Sequence, residues 1–112
     1  MFGFQRLDAY RAASEFLAVA YKLTAETTRG HGDLADQLRR AALSIPLNIA
    51  EGSGKKGRDA ARFHTIARAS ALECAAILDA FESMSVVPPA TISPHRQLLD
   101  RLVAMLTGLI RK

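Results

Sequence analysis

The sequence predicts an all-α protein: a single domain over residues 1–112, built as an antiparallel, up-down-up-down four-helix bundle. Three observations carry that reading. Strong breakers cut the 112 residues into four segments. Each segment repeats its apolar residues at intervals of three and four. The composition is aliphatic, with 49% hydrophobic but only 6% aromatic residues, which suits closely packed helices better than a sheet sandwich. A chain of this length buries about two-thirds of its unfolded surface, enough for one core.

The breakers are Arg29-Gly30-His31-Gly32, Gly52-Ser53-Gly54-Lys55-Lys56-Gly57 and Val87-Pro88-Pro89. The first helix is expected from about Leu7 to Thr27, with the seam Leu7, Tyr10, Ala13, Leu17, Ala20, Tyr21 and Thr24. The second is expected after Asp33, a suitable N-cap, with Asp36 adding negative charge to the first turn. Its seam is Leu34, Leu38, Ala41, Ala42, Ile45, Ile49 and Gly52. Pro46 removes one backbone hydrogen bond, but the seam continues in phase beyond it, so a kink or register shift is expected and not a stop.

The third helix is expected from near Asp59 to near Met84, with the seam Phe63, Ile66, Ala67, Ser70, Cys74, Ile77, Phe81 and Met84. The fourth is expected after Ser93-Pro94, an N-cap followed by proline at the first helical position. Its seam is Leu98, Leu102, Met105 and Leu109, flanked by Leu99, Val103, Leu106 and Ile110. Short connections between helices of similar length favour antiparallel neighbours.

On a wheel of 100° per residue, Leu43 and Leu47 fall nearly opposite the core residue Ile45. Single exposed leucines are ordinary. Together with a fourth helix more broadly apolar than one seam requires, these two suggest an interface between copies of the chain.

The net charge of +4 is uneven. Residues 39–68 hold Arg39, Arg40, Lys55, Lys56, Arg58, Arg62 and Arg68 against Glu51 and Asp59, a net of +5, and the remainder sums to −1. Such a cluster attracts an anionic partner, although a solvated surface has the same composition. Met1-Phe2-Gly3-Phe4-Gln5-Arg6 lacks the apolar run of a secretory leader, and no stretch is long and apolar enough for a membrane span. A lone cysteine, Cys74, excludes a disulfide framework within the chain and fits a reducing compartment. A cytoplasmic protein with no membrane partner is the expectation.

No catalytic residue, metal site or cofactor is expected. Di-iron bundles pair Glu-x-x-His motifs on facing helices, and none of His31, His64 or His95 lies three residues after a glutamate. Cys74 lies on a core seam, as a small buried hydrophobe would. The glycine loop 52–57 lacks the preceding strand, the full glycine spacing and the Ser or Thr after lysine that a phosphate loop needs. A helix C-cap followed by a turn explains it better, yet it sets Lys55 and Lys56 beside the positive end of the third helix. A polar line of Gln37, Ser44, Asn48 and Glu51 on the second helix faces a similar edge, Ser70 and Glu73, on the third. It reads as a structural network, with Glu73 paired to Arg39 or Arg40 if the two helices are antiparallel.

The segment Leu34-Ala35-Asp36-Gln37-Leu38-Arg39-Arg40-Ala41-Ala42-Leu43-Ser44-Ile45-Pro46-Leu47-Asn48-Ile49-Ala50-Glu51-Gly52 closely resembles the signature of the bacterial four helix bundle protein family, also called the rRNA intervening-sequence protein family. A second block, Phe63 followed by Ile66-Ala67-Arg68-Ala69-Ser70-Ala71-Leu72-Glu73, is similar to that family's next conserved stretch. The resemblance implies a four-helix bundle assembling into a closed homo-oligomeric ring, typically a pentamer. Some members are encoded within intervening sequences of large-subunit rRNA genes. A related branch, the accessory proteins of diversity-generating retroelements, binds a reverse transcriptase and nucleic acid through a basic surface.

One departure stands out. Asp59-Ala60-Ala61-Arg62-Phe63 has Arg62 where the resemblance implies the glutamate of a capping box. The expectation is therefore a non-enzymatic oligomer that binds RNA, DNA or a reverse-transcriptase-like protein, with Lys55, Lys56, Arg58 and Arg62 contacting phosphates and Leu43 and Leu47 at the self-interface. The alternative is a structural or protein-interaction module without a nucleic-acid role.

Overall fold

A computed structural model describes residues 2–27 and 30–112, and Arg29 of the first predicted break lies outside them. A 3₁₀ turn at Gly3–Arg6 leads into α1 (Asp8–Thr27), α2 (Gly32–Ser53), α3 (Gly57–Ser83) and α4 (Pro89–Ile110). Sequential helices pack against one another and α1 closes the bundle against α4, giving a rod of 43 × 21 × 21 Å. Side-chain pairs show that neighbours are antiparallel: Ser44 meets Ser70 while Gln37 meets Glu73, and Arg68 meets Thr107 while Arg96 meets Asp79. No helix is long and apolar enough to cross a membrane among the described residues.

The core follows the second predicted seam closely: Leu38, Ala41, Ala42, Ile45, Ile49 and Gly52 are all buried. Helix α2 runs through Pro46, whose ring is itself buried. Burial of the ring offsets part of the cost of the missing hydrogen bond. The other seams shift by a residue or so. In α1, Phe16 and Leu23 are buried while Tyr21 is exposed, because the Arg39 guanidinium lies 5.0 Å over the Tyr21 ring on the outside. In α3, Leu78, Ala71 and His64 are buried, whereas Ile66 and Met84 are exposed.

Helix starts depart from the predicted caps. His31 and Lys56 occupy the N-cap positions of α2 and α3 and give no side-chain cap, so Asp33 and Asp59 stand in the first turns, where they complement the helix dipole. Helix α4 begins a turn earlier than predicted, with Pro89 at the first position and Pro94 inside the helix. The extra turn brings Ile92 into the core, fully buried. Helix α3 ends in a Schellman arrangement: Ser85 adopts φ 57°, and the Val86 and Ser85 amides donate to the Phe81 and Glu82 carbonyls at 2.9 and 3.0 Å. Arg96 then clamps α4 to α3 through Asp79 (2.7 Å) and Glu82 (2.9 Å).

Helix α4 spends its broad apolar face inside the monomer. Leu98, Leu99, Leu102 and Leu106 are buried, and Val103, Met105 and Leu109 pack against the core. It supplies none of the large exposed apolar residues, which include Leu43, Leu47, Ile66 and Leu72.

Candidate nucleic-acid interface

Residues distant in sequence meet at the end of the rod where α2 turns into α3. The α2–α3 turn carries Lys55 and Lys56, Arg58 follows as the second residue of α3, and Arg62 stands one turn further along it. A cavity there is walled jointly by Leu7 before α1, Lys55 and Lys56 in the turn, and Leu109 and Lys112 at the end of α4. The turn also lies beside the 3₁₀ segment, as Phe2 and Phe4 share a second cavity with Ser53 and Gly54. Arg11 joins this end by donating from Nε to the Gln5 carbonyl at 3.3 Å.

The fold thus regroups charge. Arg6, Arg11, Lys55, Lys56, Arg58, Arg62, Arg111 and Lys112 share this end with Asp8, Glu51 and Asp59, a net of +5, and all eight cations are exposed. Arg39 and Arg40, counted with the cluster in sequence, lie toward the other end and are not part of it. Arg39 is half-buried, with Nε donating to the Thr24 hydroxyl at 2.7 Å. Arg6, Arg11, Arg111 and Lys112 join because an up-down-up-down bundle of four helices brings the start of α1 and the end of α4 to the same end as the α2–α3 turn, so their contribution follows from the topology and not from any local motif.

Two of the predicted contact residues share one ring. Lys55 Nζ stands 6.0 Å, and Arg62 Cζ 5.1 Å, from the centroid of half-buried Phe63. Cation–π attraction holds both charges near the turn. This answers what Arg62 does in place of a capping glutamate: it packs over the next residue's ring.

The polar line forms in part. The Ser44 and Ser70 hydroxyls are 2.9 Å apart, and Asn48 Nδ2 donates to the Ser44 hydroxyl at 3.0 Å and to its carbonyl at 2.8 Å. Glu73 is exposed and accepts from Gln37 at 3.4 Å, and among the described residues it pairs with neither Arg39 nor Arg40. Tyr21 and Thr24 draw Arg39 to the α1 side of α2, and Arg40 points outward. Glu51 is likewise exposed and outside the network.

Leu43 and Leu47 are 41% and 60% exposed on the outer face of α2, as the wheel predicts. Cys74 is fully buried, and burial with the neighbouring Glu73 charge pushes its thiol up to about 12, so it stays protonated and unreactive. His64, which the sequence sets beside the predicted seam residue Phe63, is itself on the buried face of α3. It is 6% exposed, and neither ring nitrogen makes a hydrogen bond. Burial pushes its pKa down, and the nearby Ile49 carbonyl opposes that shift without reaching hydrogen-bond geometry. The signal available in sequence was its place four residues before Arg68 and three before Ala67, on the α3 face that packs inward.

Comparison with known proteins places this geometry. The sequence profile described as "23S rRNA-intervening sequence protein" matches residues 5–108. A solved structure from Bacteroides thetaiotaomicron, a protein of unknown function from the S23 ribosomal protein family, superposes with a TM-score of 0.84. It shares 18% sequence identity, with 93% of this chain and 99% of that one covered, which shows the fold alone. No curated protein matches the chain.

Proposed function

From the premise that the chain belongs to the 23S rRNA-intervening sequence protein family, we propose that it is a non-enzymatic, oligomeric nucleic-acid-binding protein acting through the basic end of its bundle. The observation that carries this reading is the gathering of eight exposed cations against three acidic side chains at one end of the rod. The rest of the molecule has a net charge of −1, so the field is directional. Lys55, Lys56, Arg58 and Arg62 form the rim that meets phosphates. Phosphate contacts carry no base information, so binding is salt-sensitive and largely indifferent to sequence. Phe63 is already covered by Lys55 and Arg62, so that ring has no free face for base stacking.

The exposed pair Leu43 and Leu47 supports self-assembly into a ring. A ring repeats the basic end once per subunit, and weak contacts then combine through effective concentration. The family resemblance suggests five subunits. The single buried cysteine fits a cytoplasmic location. The test is an anisotropy titration of the full chain with mixed-sequence RNA and DNA at two salt concentrations. Affinity should fall steeply as salt rises. It should also fall on changing Lys55, Lys56, Arg58 and Arg62 together to Glu. Salt-independent or absent binding would leave the alternative, a protein-interaction module without a nucleic-acid role.

A further inference from the structure

Three aromatic rings run from the core out to solvent beside the α2–α3 turn. Tyr10 packs against the core, Phe4 meets it edge-on at 4.9 Å between centroids, and Phe2 lies parallel to Phe4 at 5.8 Å, with 8° between the planes. The outer pair has the offset-stacked arrangement that aromatic rings favour. Phe2 is 71% exposed, so with Phe4 against one face its other face is open. The backbone beneath that ring is nevertheless tied down. The Phe2 amide donates to Gln5 Oε1 at 2.7 Å, the Gln5 amide donates to the Phe2 carbonyl at 3.2 Å, and Arg11 of α1 donates from Nε to the Gln5 carbonyl at 3.3 Å. A ring held ready in this way loses little conformational entropy when a ligand covers it.

Phe2 and Phe4 wall one side of a cleft of about 550 Å³, and Ala50, Ser53 and Gly54 at the end of α2 wall the other. Exposed cations continue both walls: Arg6 and Arg11 on the side of the rings, Lys55 and Lys56 beyond Gly54. Asp8 and Glu51 are the acids of this region and are outnumbered. An open ring flanked by positive charge matches both parts of a nucleic-acid strand. The cations meet phosphates, and the ring meets the π-face of an unpaired base. A lipid surface is the poorer match, because its hold scales with inserted apolar area and only Phe2 of the three rings is fully exposed.

We propose that Phe2, stacked on Phe4, is a platform for one unpaired base of a single strand of RNA or DNA. This rests on the nucleic-acid reading above and adds a preference that phosphate contacts alone do not give. Inside a duplex each base is already stacked between its neighbours, so the platform separates single strands from duplex. Every base has a π-face, so it does this without reading sequence.

The experiment uses the full chain and follows anisotropy with a mixed-sequence single strand, as RNA and as DNA, and with the duplex of the same sequence. Phe2→Ala should weaken single-strand binding about tenfold, within the range one stacked base supplies, and should change duplex binding by less than about twofold. Phe2→Trp places a tryptophan in a chain that has none and keeps the platform. Its emission should fall when a single strand binds and stay level when the duplex binds. Phe2 lies outside the core, so both variants should keep the wild-type helical signal. Equal losses for strand and duplex, or no loss, with the Phe2→Trp emission unmoved, overturn the platform and leave the phosphate contacts in place. No binding of any strand by the wild type removes the nucleic-acid reading and the platform with it. A lower assembly mass for Phe2→Ala in light scattering, without nucleic acid, assigns the ring to contact between copies. A blue shift of the Phe2→Trp emission on phosphatidylserine vesicles, with no quenching by strands, assigns it to a lipid surface. Either of these results also overturns the platform.

Discussion

Gly52 sits directly against the ring of His64: a β-carbon on Gly52 would stand 2.7 Å from Nε2 and 3.1 Å from Cβ of Phe63. The contact joins the last turn of α2 to the second turn of α3, where the two helices approach before the chain reverses. Gly52 is helical, so its glycine answers to space and not to backbone angle. In the same turn Gly57, at φ +57° with nothing within 4 Å of its added β-carbon, answers to angle alone.

Gly52→Ala should accordingly destabilise the protein. In an open helix the change gains about 0.5–1 kcal/mol. Here the new methyl must displace a buried ring and a Cβ fixed to the α3 backbone, an overpacking cost of about 1–3 kcal/mol. A lower urea midpoint with unchanged slope is expected. In a His64→Ala background the same Gly52→Ala change should become neutral or stabilising, since the ring it meets is gone. The same sign in both backgrounds would show that the contact does not limit packing.

The two histidines shifted by burial set a pH dependence. His64 and His95 both have folded-state values below the ordinary 6.5, each chiefly because burial disfavours the charged ring. The unfolded chain then binds more protons than the folded one as pH drops below 6.5. Stability from these groups is complete above 6.5 and is lost as pH falls through the folded values. Denaturation midpoints should decline between pH 7.5 and pH 5, a window above the ordinary carboxylate range of about 3.9–4.3. His64→Leu and His95→Gln should each flatten part of that decline. A midpoint constant across the window in the wild type would contradict both shifts.

Glu73 and Ser70 lie on neighbouring turns of α3 but should respond differently to substitution. Glu73 is exposed and, among the described residues, accepts a hydrogen bond from Gln37 alone at 3.4 Å, so Glu73→Gln should change stability by less than about 0.5 kcal/mol. Ser70→Ala removes a half-buried hydroxyl 2.9 Å from that of Ser44 and should cost about 1 kcal/mol. Chemical denaturation of the two variants side by side measures the contrast. Equal losses would mean that Glu73 is held more firmly than its exposure implies.

The α2 seam was legible because its apolar residues recur without conflict from Leu34 to Gly52. The α1 and α3 seams were misread where a second residue type fitted the same spacing. Tyr21 satisfies the period but stacks under Arg39 outside, and Phe16 falls between the chosen positions yet is fully buried. The cap at Ser93-Pro94 satisfied every local rule, but Pro88-Pro89 satisfies them too, and burial of Ile92 decides for the earlier start. At the candidate site, the turn lysines could be found by counting charges. The partners Arg6 and Lys112 carry no local signal, and only the up-down-up-down topology brings them to the end that holds the α2–α3 turn. The Arg39–Glu73 pairing failed for a similar reason: the helix wheel gave the right level but not the competing acceptor, Thr24, on α1.

The remaining prediction concerns assembly. Leu43 and Leu47 stand one turn apart on the face of α2 that no other helix covers, 41% and 60% exposed. The Ser44–Ser70 contact fixes the register of α2 against α3, and that register brings exposed Ile66 level with Leu47 and Asn48. Three large exposed apolar side chains thus stand at neighbouring levels of α2 and α3. Burying one such side chain is worth about 1.5–3 kcal/mol, so a contact repeated around a ring gains substantially from covering them. A double Leu43→Glu, Leu47→Glu variant should dissociate the assembly. Its helical signal should stay largely intact, since neither residue belongs to the core. Light scattering at micromolar concentration, with circular dichroism on the same samples, reads both effects. A monomeric wild type would refute self-assembly. An oligomer unaffected by the double change would move the interface away from these side chains.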